Sequence, residues 1–143
     1  MRAVYRYLSV LVFAAVVLQV GFAGYGAFSV ASDVDDKGSV DEDMFEDGFG
    51  LHAGFGYLVI LLGLIALIVA LVARHRIKHA AILFGLLVLQ LLLAWFGFES
   101  PFIGFFHPVN ALVIFALSGW IALTEWQGRK GVAAPSALPA EPS

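Results

Sequence analysis

Four long stretches of this chain contain no Asp, Glu, Lys or Arg: Tyr7 to Ser32, Gly48 to Ala73, His79 to Phe98 and Ser100 to Thr124. Each is about 20 residues or longer, enough for a helix to cross a hydrocarbon core of about 30 Å. Strand-length alternation is missing, and lipid demands that backbone hydrogen bonds close internally, so these stretches predict helices. Composition agrees. The 143 residues are 61% hydrophobic and 13% charged, against about 45–50% and about 25% in soluble domains. A disordered chain would be poorer in apolar residues, and one small core cannot bury this much apolar surface. The net charge of −3 and the lack of a basic stripe exclude a nucleic-acid partner. With no cysteine, disulfides, iron–sulfur ligation and thiol catalysis are excluded. The expectation is an all-α membrane protein, a four-transmembrane-helix bundle in a lipid bilayer.

The charges give it an orientation. Arg2 and Arg6 precede the first span, Arg74, Arg76 and Lys78 separate the second from the third, and Arg129 and Lys130 follow the fourth. The opposite side carries Lys37 and eight acids: Asp33, Asp35, Asp36, Asp41, Glu42, Asp43, Glu46 and Asp47. The positive-inside rule makes the basic side cytoplasmic, so both termini are expected inside. Residues 33–47 read as a solvated acidic outer loop, and Glu99–Pro101 as a short outer turn. Tyr5, Tyr7, Trp95, Trp120 and Trp126 suit interfacial anchoring. The transmembrane domain is expected over 1–130, and the Pro/Ala-rich tail 131–143 is expected to be a disordered cytoplasmic segment. A competing reading takes the first span as a secretory signal cleaved near Ser29-Val30-Ala31, although its apolar run is longer than usual.

An internal repeat organises the spans. Val17-Leu18-Gln19 matches Val88-Leu89-Gln90, and Ala23 and Gly26 match Ala94 and Gly97 at the same offsets. Spans two and four open with Leu51-His52 and Phe106-His107, and Gly63 and Ser118 follow at matching offsets. The chain therefore reads as two repeated helical hairpins, each a glutamine helix, an outer loop and a histidine helix. Chance likeness between apolar helices is the plain alternative, but Gln and His are rare in such segments.

Polar side chains inside a span are costly and mark functional candidates. Here they are Gln19, His52, Gln90, His107 and Asn110. No charged residue lies mid-span, which argues against ion-coupled transport through a buried carboxylate. No Ser-His-Asp set or carboxylate pair suggests a hydrolase, and no catalytic residues are assigned. His52 and His107 lie near the outer ends of parallel helices, an arrangement suited to bis-histidine ligation of a haem iron. Gly56 and Ala111, one turn below, and Gly54 nearby would leave room for a flat macrocycle. Phe22, Phe55, Phe105 and Phe106 would line it. Propionates would meet backbone amides, Ser100 or Asn110, because the outer side offers so little positive charge.

Blander roles stand beside these. A histidine at a helix end also sits half-wet at an interface, and a zinc or copper site with outer acids has no tight spacing behind it. Gln19 and Gln90 suit hydrogen bonding between helices as well as cofactor contact. Asn110 shares a face with His107 and would orient its ring or cap backbone freed by Pro108. Gly21, Gly24, Gly26, Gly50 and Gly54 read as close-packing positions. The Arg74–His79 run sets topology and touches anionic lipid. His75 and His79 are spaced to clip a metal, but three cations lie beside them.

Gln19-x3-Ala23-Gly24, Leu51-His52, Leu89-Gln90 and Phe106-His107-Pro108-Val109-Asn110-Ala111 resemble a family of small bacterial four-helix membrane proteins of unknown function, over roughly Tyr7 to Thr124. The Gln…Gly…His hairpin is also similar, at fewer positions, to one half of haem A synthase, a four-helix bundle in which paired histidines bind haem. That resemblance implies a b-type haem on His52 and His107. It does not carry synthase activity, since that enzyme has two such halves and an outer-loop acid that aligns with none here. The expectation is a cytochrome b-like protein of the bacterial inner membrane, transferring or sensing electrons, with a membrane redox partner or a second copy of itself. A cofactor-free accessory or assembly subunit of a larger complex is the alternative, and a quinone-binding protein a third.

Overall fold

A computed structural model describes residues 1–39 and 41–128. The tail 131–143 lies outside the described residues. Four helices follow one another: α1 Arg2–Lys37, α2 Glu42–Ala73, α3 Ile77–Glu99 and α4 Pro101–Gln127. All four are long and apolar enough to cross a membrane.

The acidic segment, expected as a loop, is mostly helix. α1 runs on to Lys37 and ends at Gly38, whose φ of 75° places it in the left-handed region that glycine adopts without strain. Asp41 then caps α2, its Oδ1 accepting from Met44 N at 2.8 Å. Glu42 and Asp43 complement the positive end of the α2 dipole. Among the described residues between the two helices, Gly38, Ser39 and Asp41 are non-helical. Charged residues are tolerated in a helix that has left the apolar layer, so the span limits drawn from charge fall short of the helix ends.

The helices consequently differ in height. With 36 and 32 residues, α1 and α2 reach about 54 and 48 Å; α3 and α4, with 23 and 27, reach about 35 and 41 Å. The first hairpin therefore projects past the second at the acidic end. Phe98, near the end of α3, meets Phe45 of α2 at 5.9 Å. At the α3–α4 turn, extended Ser100 precedes Pro101 at the first helical position, where a missing N–H costs nothing.

Each helix contacts the next, and α4 closes the ring on α1; the backbones of the diagonal pairs α1/α3 and α2/α4 stay more than 8 Å apart, Cα to Cα. The core joins Tyr5, Val12, Ala15 and Val16 of α1 with Val59, Ala66 and Ala70 of α2, Ala80, Leu83 and Leu87 of α3, and Ile114 and Ile121 of α4. Small residues let the helices close: Gly119 admits the Phe13 ring, and Gly63 admits Leu87. In lipid, such packing and interhelical hydrogen bonds replace the hydrophobic effect as the source of association.

Burial recurs between hairpins. Val59, Gly63, Ala66 and Ala70 are buried at the same offsets from His52 as Ile114, Ser118, Ile121 and Glu125 from His107. Ser9, Val12, Val16 and Ala80, Leu83, Leu87 share offsets from Gln19 and Gln90 respectively. The main apolar cluster stops at the layer of Val16, Val59, Leu87 and Ile114, although Asn110, Gly26, Gly48 and Met44 are buried further toward the acidic end. Beyond it, toward the acidic end, Gln19, Ala23, His52, Gln90, Ala94 and His107 are only partly buried.

Candidate functional site

The layer above the core holds four of the candidate residues in two reciprocal pairs. Gln19 Nε2 donates to His52 O at 2.8 Å, and His52 Nδ1 lies 3.2 Å from Gln19 O. Gln90 Nε2 donates to His107 O at 3.0 Å, and His107 Nδ1 lies 3.1 Å from Gln90 O. Each hairpin thus closes with the same two bonds. A carbonyl only accepts, so Nδ1 carries the hydrogen in both rings. In the neutral imidazole this leaves Nε2 with its lone pair, the form that binds a metal.

The two rings face across the bundle from diagonal helices, with centroids 6.2 Å apart and planes at 70°. Close backbone approach within each hairpin positions them. A Cβ on Gly26 would lie 2.7 Å from Gly48 O, and one on Gly97 would lie 2.9 Å from Gly104 Cα. Each hairpin is pinched beside its histidine, and the two imidazoles meet between the hairpins.

The remaining candidates divide. A Cβ on Gly56 would lie 3.1 Å from Gln19 Nε2, so this glycine makes room for the glutamine amide. Ala111, at the corresponding position, is half-buried. Asn110 is buried but does not bond to His107. Its Nδ2 donates to Leu86 O at 3.0 Å and to Gln90 Oε1 at 2.7 Å, so it orients the glutamine and is not free to meet a propionate. Phe22 and Phe55 meet edge to face at 5.0 Å. Phe105 and Phe106 are 63% and 42% exposed and lie on the outside of the bundle. Gly54 has open space beside it.

Among the described residues, no group of three or more His, Cys, Asp or Glu could hold a metal ion. The outer acids therefore do not join the histidine pair as zinc or copper ligands. Axial ligation of haem needs only the two imidazoles.

A second polar cluster, which the sequence reading passed over, occupies the basic end. Glu125 of α4 is 7% exposed, and its Oε1 accepts from Arg76 Nε at 2.6 Å and His75 Nε2 at 2.9 Å. Tyr5 packs its ring edge to face on His75 at 5.6 Å, and Arg76 lies over Trp120 at 5.4 Å. His79 packs on Trp120, 5.0 Å away, rather than pairing with His75. Glu125 stands at the offset that buries Ala70 in the first hairpin, which was the available signal.

The chain matches no protein-family model, no curated protein and no solved structure, so its site is read from its own residues.

Proposed function

We propose that this is a multi-pass protein of the bacterial inner membrane, built of two repeated hairpins with both termini inside. It binds one b-type haem between His52 and His107 near the outer face. There it transfers or senses single electrons, with a membrane redox partner or a second copy of the chain.

The observation that carries this reading is the paired imidazole geometry. Both Nδ1–H groups are spent on backbone carbonyls, which fixes ring orientation and leaves each Nε2 lone pair available. Haem, if bound, would be held by the Nε2 atoms of His52 and His107, which asks that the two imidazoles lie close to each other across the bundle. The observed separation is 6.2 Å. Around the two rings Gln19, Ala23, Gln90 and Ala94 are half-buried, with the main core on one side and buried Gly26, Gly48 and Met44 on the other. Gln19 and Gln90 act as orienting residues, since each pins the backbone of its histidine. Haem, when bound, supplies the one-electron couple; the chain supplies the ligands, their orientation and an apolar surround.

The test is an absorption spectrum of the purified full chain, made with ample haem or reconstituted. The expected result is a Soret band that shifts or disappears in His52→Ala and His107→Ala. Lack of the band in both preparations overturns the reading. Pigment-free protein isolated with a stoichiometric membrane partner supports the accessory-subunit alternative instead.

A further inference from the structure

The two hairpins hold their histidines unequally. In the second, Gln90 is tied at both ends: Nε2 donates to His107 O, and Oε1 accepts from Asn110, which also donates to Leu86 O. At the offset of Asn110 the first hairpin has Phe55, which has no donor to offer. Gln19 Oε1 is correspondingly buried without a partner. An unsatisfied buried acceptor destabilises the arrangement that contains it, so the Gln19–His52 layer is the weaker of the two.

The glycines of α2 also favour opening on this side. Gly48, Gly50, Gly54 and Gly56 flank His52 along α2, and glycine weakens a helix interior. Around His107 the near neighbours include Pro108 and Ala111, with Gly104 the one glycine at comparable distance. On the outer face of this hairpin, between α1 and α2, lies a mainly apolar groove of about 330 Å³ lined by Phe22, Gly50, Leu51, Gly54, Phe55 and Leu58, which His52 does not reach.

We propose that, with haem bound, His107 is the retained axial ligand and His52 the exchangeable one, so that the site takes a small neutral diatomic molecule in place of His52. This rests on the haem reading above. It makes the protein a binder of diatomic ligands as well as an electron carrier. No bond order or oxidation state changes in the exchange: the Nε2 lone pair leaves the iron and the diatomic lone pair replaces it.

The experiment is a carbon monoxide titration of the reduced, haem-loaded full chain, followed at the Soret band. The wild type is expected to form a carbon monoxide complex. His52→Ala should keep its haem and bind carbon monoxide at least tenfold more tightly, whereas His107→Ala should lose its haem. Phe55→Asn, which supplies the missing donor to Gln19, should weaken carbon monoxide binding about tenfold. A Soret band that carbon monoxide does not move overturns this proposal and leaves the haem reading standing. Haem kept by His107→Ala and lost by His52→Ala overturns the assignment of the two ligands. Phe55→Asn that folds and binds like the wild type overturns the role given to Gln19. If Phe55→Asn does not fold, the histidine pair decides. A chain with no Soret band overturns both readings.

Discussion

Arg76 Nε lies 2.6 Å from Glu125 Oε1, tying the α2–α3 turn to the buried face of α4. His75 donates to the same oxygen at 2.9 Å. Removing one partner of a buried pair strands the others, at about 3–5 kcal/mol when all are buried. Arg76 and His75 are each 26% exposed, which lowers the expected loss for Glu125→Ala to about 2–3 kcal/mol. Glu125→Gln keeps an acceptor and should lose roughly half as much. Denaturant unfolding of the detergent-solubilised protein measures both. A double-mutant cycle with Arg76→Gln should return a coupling energy of about 1 kcal/mol or more.

The same turn permits a sharper contrast. Arg74 and Arg76 both have positive φ, 48° and 51°, a conformation costing a non-glycine residue about 1 kcal/mol. Arg74→Gly relieves that cost and touches no ion pair, so it should leave stability unchanged or raise it by up to about 1 kcal/mol. Arg76→Gly relieves the same cost but abandons Glu125, and should destabilise. Opposite signs in the two unfolding midpoints are the expected outcome.

Gln19 and Gln90 are predicted to differ although their histidine bonds match. Gln90→Leu removes a donor to His107 O and strips Asn110 of an acceptor. Interhelical bonds in lipid average about 0.6 kcal/mol, so the loss should be about 1–2 kcal/mol. Gln19→Leu removes one donor and also an acceptor that had no partner, so its cost should stay below about 0.5 kcal/mol. Comparison of their thermal midpoints checks the order.

Much of this arrangement was legible in the chain, and the failures have physical causes. Charge-free runs located all four helices, because charge is expensive in lipid. They misplaced the ends at the acidic tip, where Asp33–Lys37 and Glu42–Asp47 are helical. The true stops there, Gly38 and the Asp41 cap, are local signals and were readable. The matched offsets of Gln19 with Gln90 and His52 with His107 anticipated which residues meet, since rare polar residues stand out against an apolar background. That Asn110 turns to Gln90 and Leu86 rather than to its helix neighbour His107 was not readable, because it depends on the distance between α3 and α4. Glu125 was passed over because it follows the apparent end of a span. Its place on the face of Ile114, Ser118 and Ile121 is what buries it.

The glycines separate into two predicted classes. A Cβ on Gly26 meets Gly48 O at 2.7 Å, and one on Gly97 meets Gly104 Cα at 2.9 Å. Backbone cannot move aside cheaply, so Gly26→Ala and Gly97→Ala should each cost about 1–3 kcal/mol. Because each contact pinches a hairpin beside its histidine, both substitutions should also reduce haem retention. Gly21 and Gly85 have nothing within 4 Å. Their alanine variants should be neutral or stabilising by up to about 1 kcal/mol, as read in the same unfolding assay.

Orientation offers the last prediction, and the absence of native cysteine makes its test simple. Seven of the eight basic residues fall at the ends of the spans opposite the acidic tip, and the positive-inside rule places that side in the cytoplasm. Ser39, at the turn of the projecting hairpin, and Gly128, after α4, are both exposed and lie at opposite ends of the bundle. In intact spheroplasts, a membrane-impermeant maleimide should label Ser39→Cys and spare Gly128→Cys. Permeabilisation should make both reactive. The reverse pattern places the acidic tip inside, and with it the histidine layer near the cytoplasmic face. Labelling of Ser39→Cys with Gly128→Cys also reactive before permeabilisation would require an even number of crossings between the two sites in place of the three expected of α2, α3 and α4.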